Sequence, residues 1–256
     1  MAISEMVSGI SPEFFALIVG VFTLAGLIKG VVGLGLPTIS MALLAIFMPP
    51  AQAAALLIVP SLITNLWQAR PLHKLVPLFR RVGGMQLGIC IGILAGAFVL
   101  GAPAGAWASV SLGAALIAYA AWGLFGAPVA IQAHKEKWLG PVVGLLTGIV
   151  TAATGVFVVP AVPYLQMLGL SRDDLIQAMG ISFTVSTVAL AAGLWLNDSY
   201  SVQAAGESVV MLAPALVGMY VGQKLRQALS PKVFRICFMT ALALLGAYQI
   251  VERLFL

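Results

Sequence analysis

Residues 26–37 read Gly26-Leu-Ile-Lys29-Gly30-Val-Val-Gly33-Leu-Gly35-Leu-Pro37, and they interrupt an otherwise apolar segment. In a helix interior, glycine costs about 1 kcal/mol and proline about 3 kcal/mol relative to alanine. The stretch therefore predicts that the helix breaks. Inside a membrane, broken backbone is tolerated only where protein buries it or where it lines a cavity. Breaks of this kind are typical of transporter binding sites.

The alternative for these glycines is close helix packing. Gly26 and Gly30 have the Gly-xxx-Gly spacing of tightly packed helix pairs, and so do Gly92 and Gly96. The later glycines and the proline of the stretch do not follow this spacing, so we favour a break there.

The composition places the chain in a membrane. It has 256 residues, of which 61% are hydrophobic and 8% charged, with a mean hydropathy of +1.08. A soluble domain carries about 25% charged residues. Residues 30–69, 82–134 and 138–171 contain no Asp, Glu, Lys or Arg, and a helix spans a bilayer with about 20 apolar residues. The sequence predicts a helical protein that crosses the lipid bilayer several times.

Several other classes are disfavoured. The first charges are Glu5 and Glu13, so a basic signal-peptide start is missing and the first apolar segment should remain in the mature protein. The net charge of +5 comes from short basic loops, a pattern that indicates topology and not nucleic-acid binding. Cys90 and Cys237 lie in apolar segments without nearby histidines, so we expect neither a metal site nor a cofactor.

The apolar segments fall into two similar series. Each series is a pair of segments around a break, followed by three spanning helices. The first series is 12–30, 36–48, 51–69, 78–100 and 103–125; the second is 138–152, 156–169, about 171–197, 202–226 and 231–254.

Landmarks in the two series match at a spacing of 122–128 residues. The matching pairs are Gly33 with Gly155, Pro37 with Pro160, Ala54 with Ala178, and Trp67 with Trp195. We therefore predict one membrane repeat over 1–125, a cytoplasmic linker over 126–137 and a second membrane repeat over 138–256.

Loop charges set the orientation. Most Lys and Arg residues lie in 70–81, 126–137 and 223–235, which should face the cytoplasm, while 101–104 and 197–207 carry none and should face outward. Both termini then lie outside, in the periplasm. The predicted fold is an all-α polytopic membrane protein. Its two inverted repeats each contain a broken or re-entrant helical pair plus three transmembrane helices, giving eight spans plus two hairpins, or ten spans.

The motifs around the breaks resemble those of the TauE/SafE sulfite and organosulfonate permeases over nearly the whole chain. The first motif is Gly30-x-x-Gly33-x-Gly35-x-Pro37 with Pro50-x-Gln52-Ala53-Ala54. The second runs from Gly148 to Gly155, then Pro160, then Gln177-Ala178-x-Gly180-x-Ser182. Thr151 and Thr154 stand where the family usually has glycine. The resemblance implies a bacterial inner-membrane permease, usually an exporter of sulfite, sulfonates or related sulfur anions, and does not fix the ligand.

The breaks suggest how an anion would be held. The start of a half-helix offers free N–H groups and a favourable dipole to an anion. We predict that the helix starts at 36–48 and 156–169 face one another across a midplane cavity. The hydroxyls of Thr151 and Thr154 would add donors, unless they bond back to carbonyls of their own helix.

Lys29 is the sharpest candidate, because an intramembrane lysine costs roughly 2.5–3.5 kcal/mol and is retained mainly for function. Its alternatives are a favourable place near a helix C-terminus and snorkelling to the interface. Polar residues on the helices after each break would line the pathway or glue the bundle. The candidate substrate-binding residues are Lys29, Gly33, Gly35, Asn65, Gln68, Thr151, Thr154, Gly155, Gln177 and Ser182.

No acid lies deep in a predicted span, since Asp173 and Asp174 fit a helix start. His73 and His134 fall in basic loops, so neither a proton relay nor an intramembrane enzyme is indicated. We predict a secondary transporter for a small anion, with sulfite or an organosulfonate and export favoured. A permease for another small metabolite or anion, a metal-cation permease, an importer and a non-transporting scaffold stay as alternatives. The sequence leaves open whether the chain forms a homodimer.

Overall fold

The computed structural model describes residues 11–103, 105–126, 130–226 and 230–255. Within these ranges the chain is helical and contains no strand. The helices are α1 (Pro12–Val32), α2 (Leu36–Phe47), α3 (Pro50–Gln68), α4 (Leu75–Leu100), α5 (Gly105–Phe125), α6 (Ala133–Thr154), α7 (Ala161–Met167), α8 (Arg172–Leu196), α9 (Val202–Leu225) and α10 (Pro231–Phe255). A 3₁₀ turn, Leu72–Lys74, precedes α4. All except α2 and α7 are long and apolar enough to cross a membrane, which gives eight spans among the described residues.

Local sequence explains where the long helices begin. Ser11, Ser171 and Ser201 each precede a helix, and each side chain accepts a hydrogen bond from the backbone N–H three residues later. Serine at this position satisfies one of the free N–H groups of the first turn. The helix start predicted at Asp173 and Asp174 is confirmed, and the Ser171 hydroxyl accepts from the Asp174 N–H at 3.2 Å.

Both predicted breaks are present. Gly33 ends α1 with φ of +77°, and its N–H donates to the Lys29 carbonyl at 2.8 Å. Gly155 ends α6 in the same way, with φ of +70°, and its N–H donates to the Thr151 carbonyl at 2.7 Å. Glycine adopts this left-handed conformation without the penalty that a Cβ imposes. The chain then restarts as α2, which has 12 residues, and as α7, which has seven.

Two predicted boundaries were wrong. The segment expected to be helical from 156 begins only at Ala161, because Pro160 lacks an N–H and favours extended backbone in the residue before it. Helix α6 begins at Ala133, inside the stretch predicted as a linker. There Glu136, in the first turn, pairs with Arg81 of α4 at 2.7 Å, and an acid in this place also suits the helix dipole.

The packing alternative for the glycines is also correct. Gly26 and Gly30 of α1 lie against carbonyl oxygens of α9, and Gly218 and Gly222 of α9 lie against carbonyl oxygens of α1. A Cβ on any of the four would overlap the facing backbone. Small residues therefore let the two helices approach backbone to backbone. The motif from Gly26 to Pro37 holds both a packing face and a helix break.

The first five helices and the last five pack in corresponding pairs. Helix α1 packs on α9, and its counterpart α6 packs on α4 through a second glycine seam formed by Gly88, Gly92, Gly144 and Gly148. Likewise α3 contacts α9, and its counterpart α8 contacts α4. Two further contacts join counterparts to each other, α3 to α8 and α5 to α10. Each half thus supplies helices that pack mainly against the other half.

Charge separates the two ends of the bundle. Lys74 pairs with Asp174 at 3.1 Å and Arg81 with Glu136, which brings the basic loops of both halves to one end. At the other end the Ala51 N–H donates to the Pro103 carbonyl, and Asn197 donates to the Ala97 carbonyl, both at 3.0 Å. The positive-inside rule assigns the first end to the cytoplasm.

Candidate anion site

A cavity of about 1270 Å³, which we call the basic cavity, lies at the end that carries the basic loops. It is bordered by the C-terminal ends of α1, α3, α5 and α9 and by the N-terminal ends of α8 and α10. The segment Lys29–Leu34, which contains the first break, forms part of its wall. The break therefore lines a cavity, which is one of the two settings in which irregular backbone inside a membrane is tolerated.

The electrostatic character of this cavity is one-sided. Among the described residues that line it, the charged ones are Lys29, Arg172, Arg226 and Arg235, and none is acidic. Like charges around a low-dielectric cleft focus their field and concentrate counter-ions. Guanidinium groups also donate paired hydrogen bonds to oxyanions. The cavity is suited to a small anion.

Its remaining walls are polar amides and aromatic rings. The amides are Gln68, Gln166 and Gln223, and the rings are Trp67, Tyr119, Trp122, Phe234 and Phe238. Aromatic surface beside cationic groups is suited to a ligand that joins an anionic group to an apolar one. The Arg70 guanidinium stacks over the Trp67 ring at 4.4 Å and adds charge near the rim.

Lys29 is the buried charge of the site. It lies in the last turn of α1 and is 4% exposed. Its Nζ donates to Oδ1 of Asn65 on α3. The Asn65 amide donates in turn to Thr187 Oγ1 of α8 at 3.4 Å, and Thr187 donates to the Phe183 carbonyl at 2.6 Å. Among the described residues, no carboxylate forms an ion pair with Lys29.

Two glutamines fasten the end of α3 to the start of α8. Gln68 donates from Nε2 to the Ile176 carbonyl at 3.1 Å, and its Oε1 is buried without a partner among the described residues. Gln177 donates to the carbonyls of Ala69 and Pro71, both at 2.8 Å. Of the two, only Gln68 lines the basic cavity. Gln177 instead holds the start of α8 against the end of α3.

The second break is arranged differently. Thr151 donates to the carbonyls of Thr147, at 2.7 Å, and Val156, at 3.1 Å. Thr154 donates to the Val150 carbonyl at 2.6 Å and accepts from the Val156 N–H. Their hydroxyl protons are thus engaged with backbone, which is the self-bonding alternative. A Cβ on Gly155 would meet the Met41 side chain, so this break is closely packed.

The structure brings together part of the predicted set. Lys29, Gly33 and Gln68 line the basic cavity, and Asn65 holds Lys29. Gly35 precedes α2 as its N-cap, where φ is +114°. Ser182 accepts from Gln86 at 2.9 Å and donates to the Ala178 carbonyl. Ser182, Gln177 and the residues of the second break are not among those that line this cavity.

The expected roles of the two half-helix starts differ from the geometry. The basic cavity is lined by the C-terminal end of α1, while Leu36, Pro37 and Thr38 of α2 are buried elsewhere. Helix α7 has two turns and follows six non-helical residues, 155–160. The cavity is lined by side-chain cations and not by the starts of α2 and α7.

Sequence reasoning missed the three arginines of the site. It used basic loops only as topology signals, yet Arg172, Arg226 and Arg235 lie at the helix ends that border the cavity. The clue was their position, because each falls within about one turn of a predicted span boundary. A basic residue so close to a helix end can lie beside a cavity between helices as well as in a loop.

Eight candidate spans and a basic cavity with a buried lysine define a multi-pass membrane protein with an anion-suited site. A family model described as Sulfite exporter TauE/SafE matches residues 17–249. The chain belongs to the TauE/SafE sulfite exporter family, whose members are membrane transporters of sulfite or related anions. No curated protein matches the chain, and no solved structure matches it.

Proposed function

We propose that this chain is a secondary transporter that moves a small oxyanion, sulfite or an organosulfonate, across the bacterial inner membrane. The observation that carries the proposal is the basic cavity, in which buried Lys29 and three arginines face no acidic residue among the described lining. An intramembrane lysine is costly, and an anion that binds beside it compensates the charge. Cations would be repelled, which argues against the metal-cation alternative.

Each candidate residue has a proposed role. Lys29 is the countercharge, Asn65 positions its amine, and Gln68 and the backbone around Gly33 complete the wall. Gly35, Thr151, Thr154 and Gly155 shape the two breaks that let the site form. Gln177 and Ser182 brace α8 against α3 and α4.

Export is the favoured direction. The basic cavity lies at the end that the positive-inside rule assigns to the cytoplasm. In this conformation an anion from the cytoplasm reaches Lys29 first. The exchange of packing partners between the halves supports two repeats, which we propose are inverted, with both termini in the periplasm. Such repeats alternate access to a shared site by rocking against each other.

Anion flux into and out of proteoliposomes tests the proposal. We expect sulfite to move through the purified protein and Lys29→Met to lower the flux at subsaturating sulfite by roughly tenfold, the factor that corresponds to losing about 1.4 kcal/mol of binding. Lys224→Met is the matched control, because Lys224 is exposed at the same end and lies over Tyr220 outside the cavity lining.

Two results would overturn the proposal. One is folded wild-type protein that moves neither sulfite nor an alkylsulfonate. The other is a Lys29→Met variant that transports as well as the Lys224→Met control. Flux of a different anion through the same Lys29-dependent site would keep the mechanism and change the substrate.

A further inference from the structure

A second cavity, of about 640 Å³, lies at the opposite end of the bundle, and we call it the acidic cavity. It is bordered by the N-terminal parts of α1, α3 and α9 and by the turn that precedes α9. Among the described residues that line it, Asp198 and Glu207 carry charge, and Gln52 and Gln203 add amide groups. Its electrostatic character is the reverse of that of the basic cavity.

The two cavities lie along the same three helices. Helix α1 contributes Ile18 to the acidic cavity and Lys29 to the basic one, and α9 contributes Met211 and Met219. On α3 the corresponding residues are Leu56 and Thr64. At 1.5 Å per residue, the helical segments between these points are about 12–17 Å long. Only this length of packed helix separates the cavities.

Between these points four residues are fully buried, Phe22 and Ala25 of α1 and Leu57 and Ser61 of α3, and we call them the septum. Ile18, Phe22, Ala25 and Lys29 follow one another at helical spacing and so share a face of α1. Leu57, Ser61, Thr64 and Gln68 do the same on α3. One face of each helix therefore runs from the septum to the basic cavity.

A polar atom inside the septum indicates that it is not built only for apolar packing. Ser61 Oγ is buried and has no hydrogen-bond partner among the described residues. A buried hydroxyl without a partner costs free energy. Along α3 it lies between Leu56, which lines the acidic cavity, and Thr64, which lines the basic cavity.

A proline next to Ser61 allows α3 to bend there. Pro60 lies inside α3 and has no N–H, so the Leu56 carbonyl loses its helical partner. Ser208 of α9 replaces it, donating to Leu56 O at 2.7 Å and accepting from the Val59 N–H at 3.0 Å. The helix can thus bend at the septum without leaving a buried carbonyl unpaired.

We propose that the acidic cavity is the outer mouth of the path that begins at Lys29, and that the septum of Phe22, Ala25, Leu57 and Ser61 closes the path in this conformation. Passage of an anion rests on the proposed function, whereas the water-filled mouth and its closure do not. Asp198 and Glu207 make the outer mouth a poor binding place for anions. A released anion therefore rebinds weakly from that side.

Thiol labelling tests the mouth without any transported anion. In a Cys90→Ala/Cys237→Ala background, Ala55→Cys places a buried thiol on the acidic cavity, and Ala54→Cys places one on the neighbouring, fully buried position outside its lining. We expect a membrane-impermeant maleimide applied from the Asp198 side to label Ala55→Cys roughly tenfold faster, because a packed thiol reacts only after local opening. Equal labelling rates for the two variants would overturn the proposal that the acidic cavity is an open mouth.

Opening the septum tests the path. We expect Ser61→Cys to be unreactive in the parent background and to be labelled from the Asp198 side once Phe22→Ala is added. If Phe22→Ala disturbs folding, as judged by gel filtration, Phe22→Leu is the milder variant. A Ser61→Cys thiol that stays unreactive in a folded Phe22 variant overturns the septum. Loss of sulfite flux with labelling intact instead identifies a failure of the proposed function.

Discussion

The Lys29 amine donates to the side-chain oxygen of Asn65, and the Asn65 amide donates to the Thr187 hydroxyl. One hydrogen-bonded chain therefore links the broken helix α1 to α3 of the same half and to α8 of the other half. The neutral amide satisfies one proton of the lysine without cancelling its charge. The lysine is held in place, and in the proposed function its charge attracts the anion.

This relationship predicts coupling between the two residues. We expect Asn65→Leu to destabilise the protein by about 1–3 kcal/mol, since it leaves the buried amine without its acceptor. The Lys29→Met/Asn65→Leu double variant should recover part of this loss, because no charge is then left unpaired. Thermal unfolding of all four proteins in detergent completes the cycle. Strictly additive effects would show that the two side chains act independently.

The arginines of the basic cavity should act on capture of the anion. We expect Arg172→Gln and Arg235→Gln each to raise KM for sulfite by up to about fivefold at low salt with little change in kcat, since exposed charge pairs are weak. The effect should fade near 1 M salt, where the screening length falls to about 3 Å. Lys232→Gln is the control, because Lys232 is exposed near the same helix start but does not line the cavity. An equal effect of Lys232→Gln would show that capture of the anion depends on net charge and not on the arginines that line the cavity.

Substitution of Gly33 should destabilise the protein because of the backbone conformation at this position and not for lack of space. A Cβ there would meet only the Gln68 amide at 3.9 Å, yet φ is +77°. We expect Gly33→Ala to destabilise by about 1–2 kcal/mol and Gly33→Asn to cost less, because asparagine tolerates this conformation. Gly20→Ala, at an open helical position of the same helix, should be neutral or stabilising. Thermal unfolding of the three variants checks the order, and equal costs for Ala and Asn would point to packing instead.

Substitutions in the glycine seams should destabilise the protein because an added Cβ overlaps the facing helix backbone. We expect Gly144→Ala to destabilise by about 1–3 kcal/mol or more, the usual cost of overpacking, since its Cβ would overlap the Met85 carbonyl oxygen. Gly83→Ala, on α4 with open space around it, should change the melting temperature little. Similar melting temperatures for both variants would mean that the seam yields easily.

The fold was largely predictable because its signals are local. Charge-free runs gave the spans, serines and glycines gave helix ends, and loop arginines gave the two ends of the bundle. The start of α7 was missed because Pro160 could be placed inside or before a helix by composition alone. The early start of α6 was missed because its first turn is charged, and the Arg81–Glu136 pair that supports it is a long-range contact.

The site was predicted only in part for a related reason. Lys29 could be identified because a charge in an apolar run is costly wherever it lies. Its contact with Asn65, and the meeting of Arg172, Arg226 and Arg235 around one cavity, depend on how distant helices pack. Thr151 and Thr154 had two interpretations from the sequence, and only coordinates assign their hydroxyl protons to backbone carbonyls.

The exchange of partners between the halves has a consequence for biogenesis. Helix α1 leaves the ribosome before α9, which its glycine face fits and which is synthesised about 170 residues later, on the order of ten seconds at bacterial rates. During that interval the nascent chain must keep Gly26, Gly30 and the Lys29 amine in lipid or beside the insertion machinery. Maturation of this protein is therefore not complete before α9 arrives.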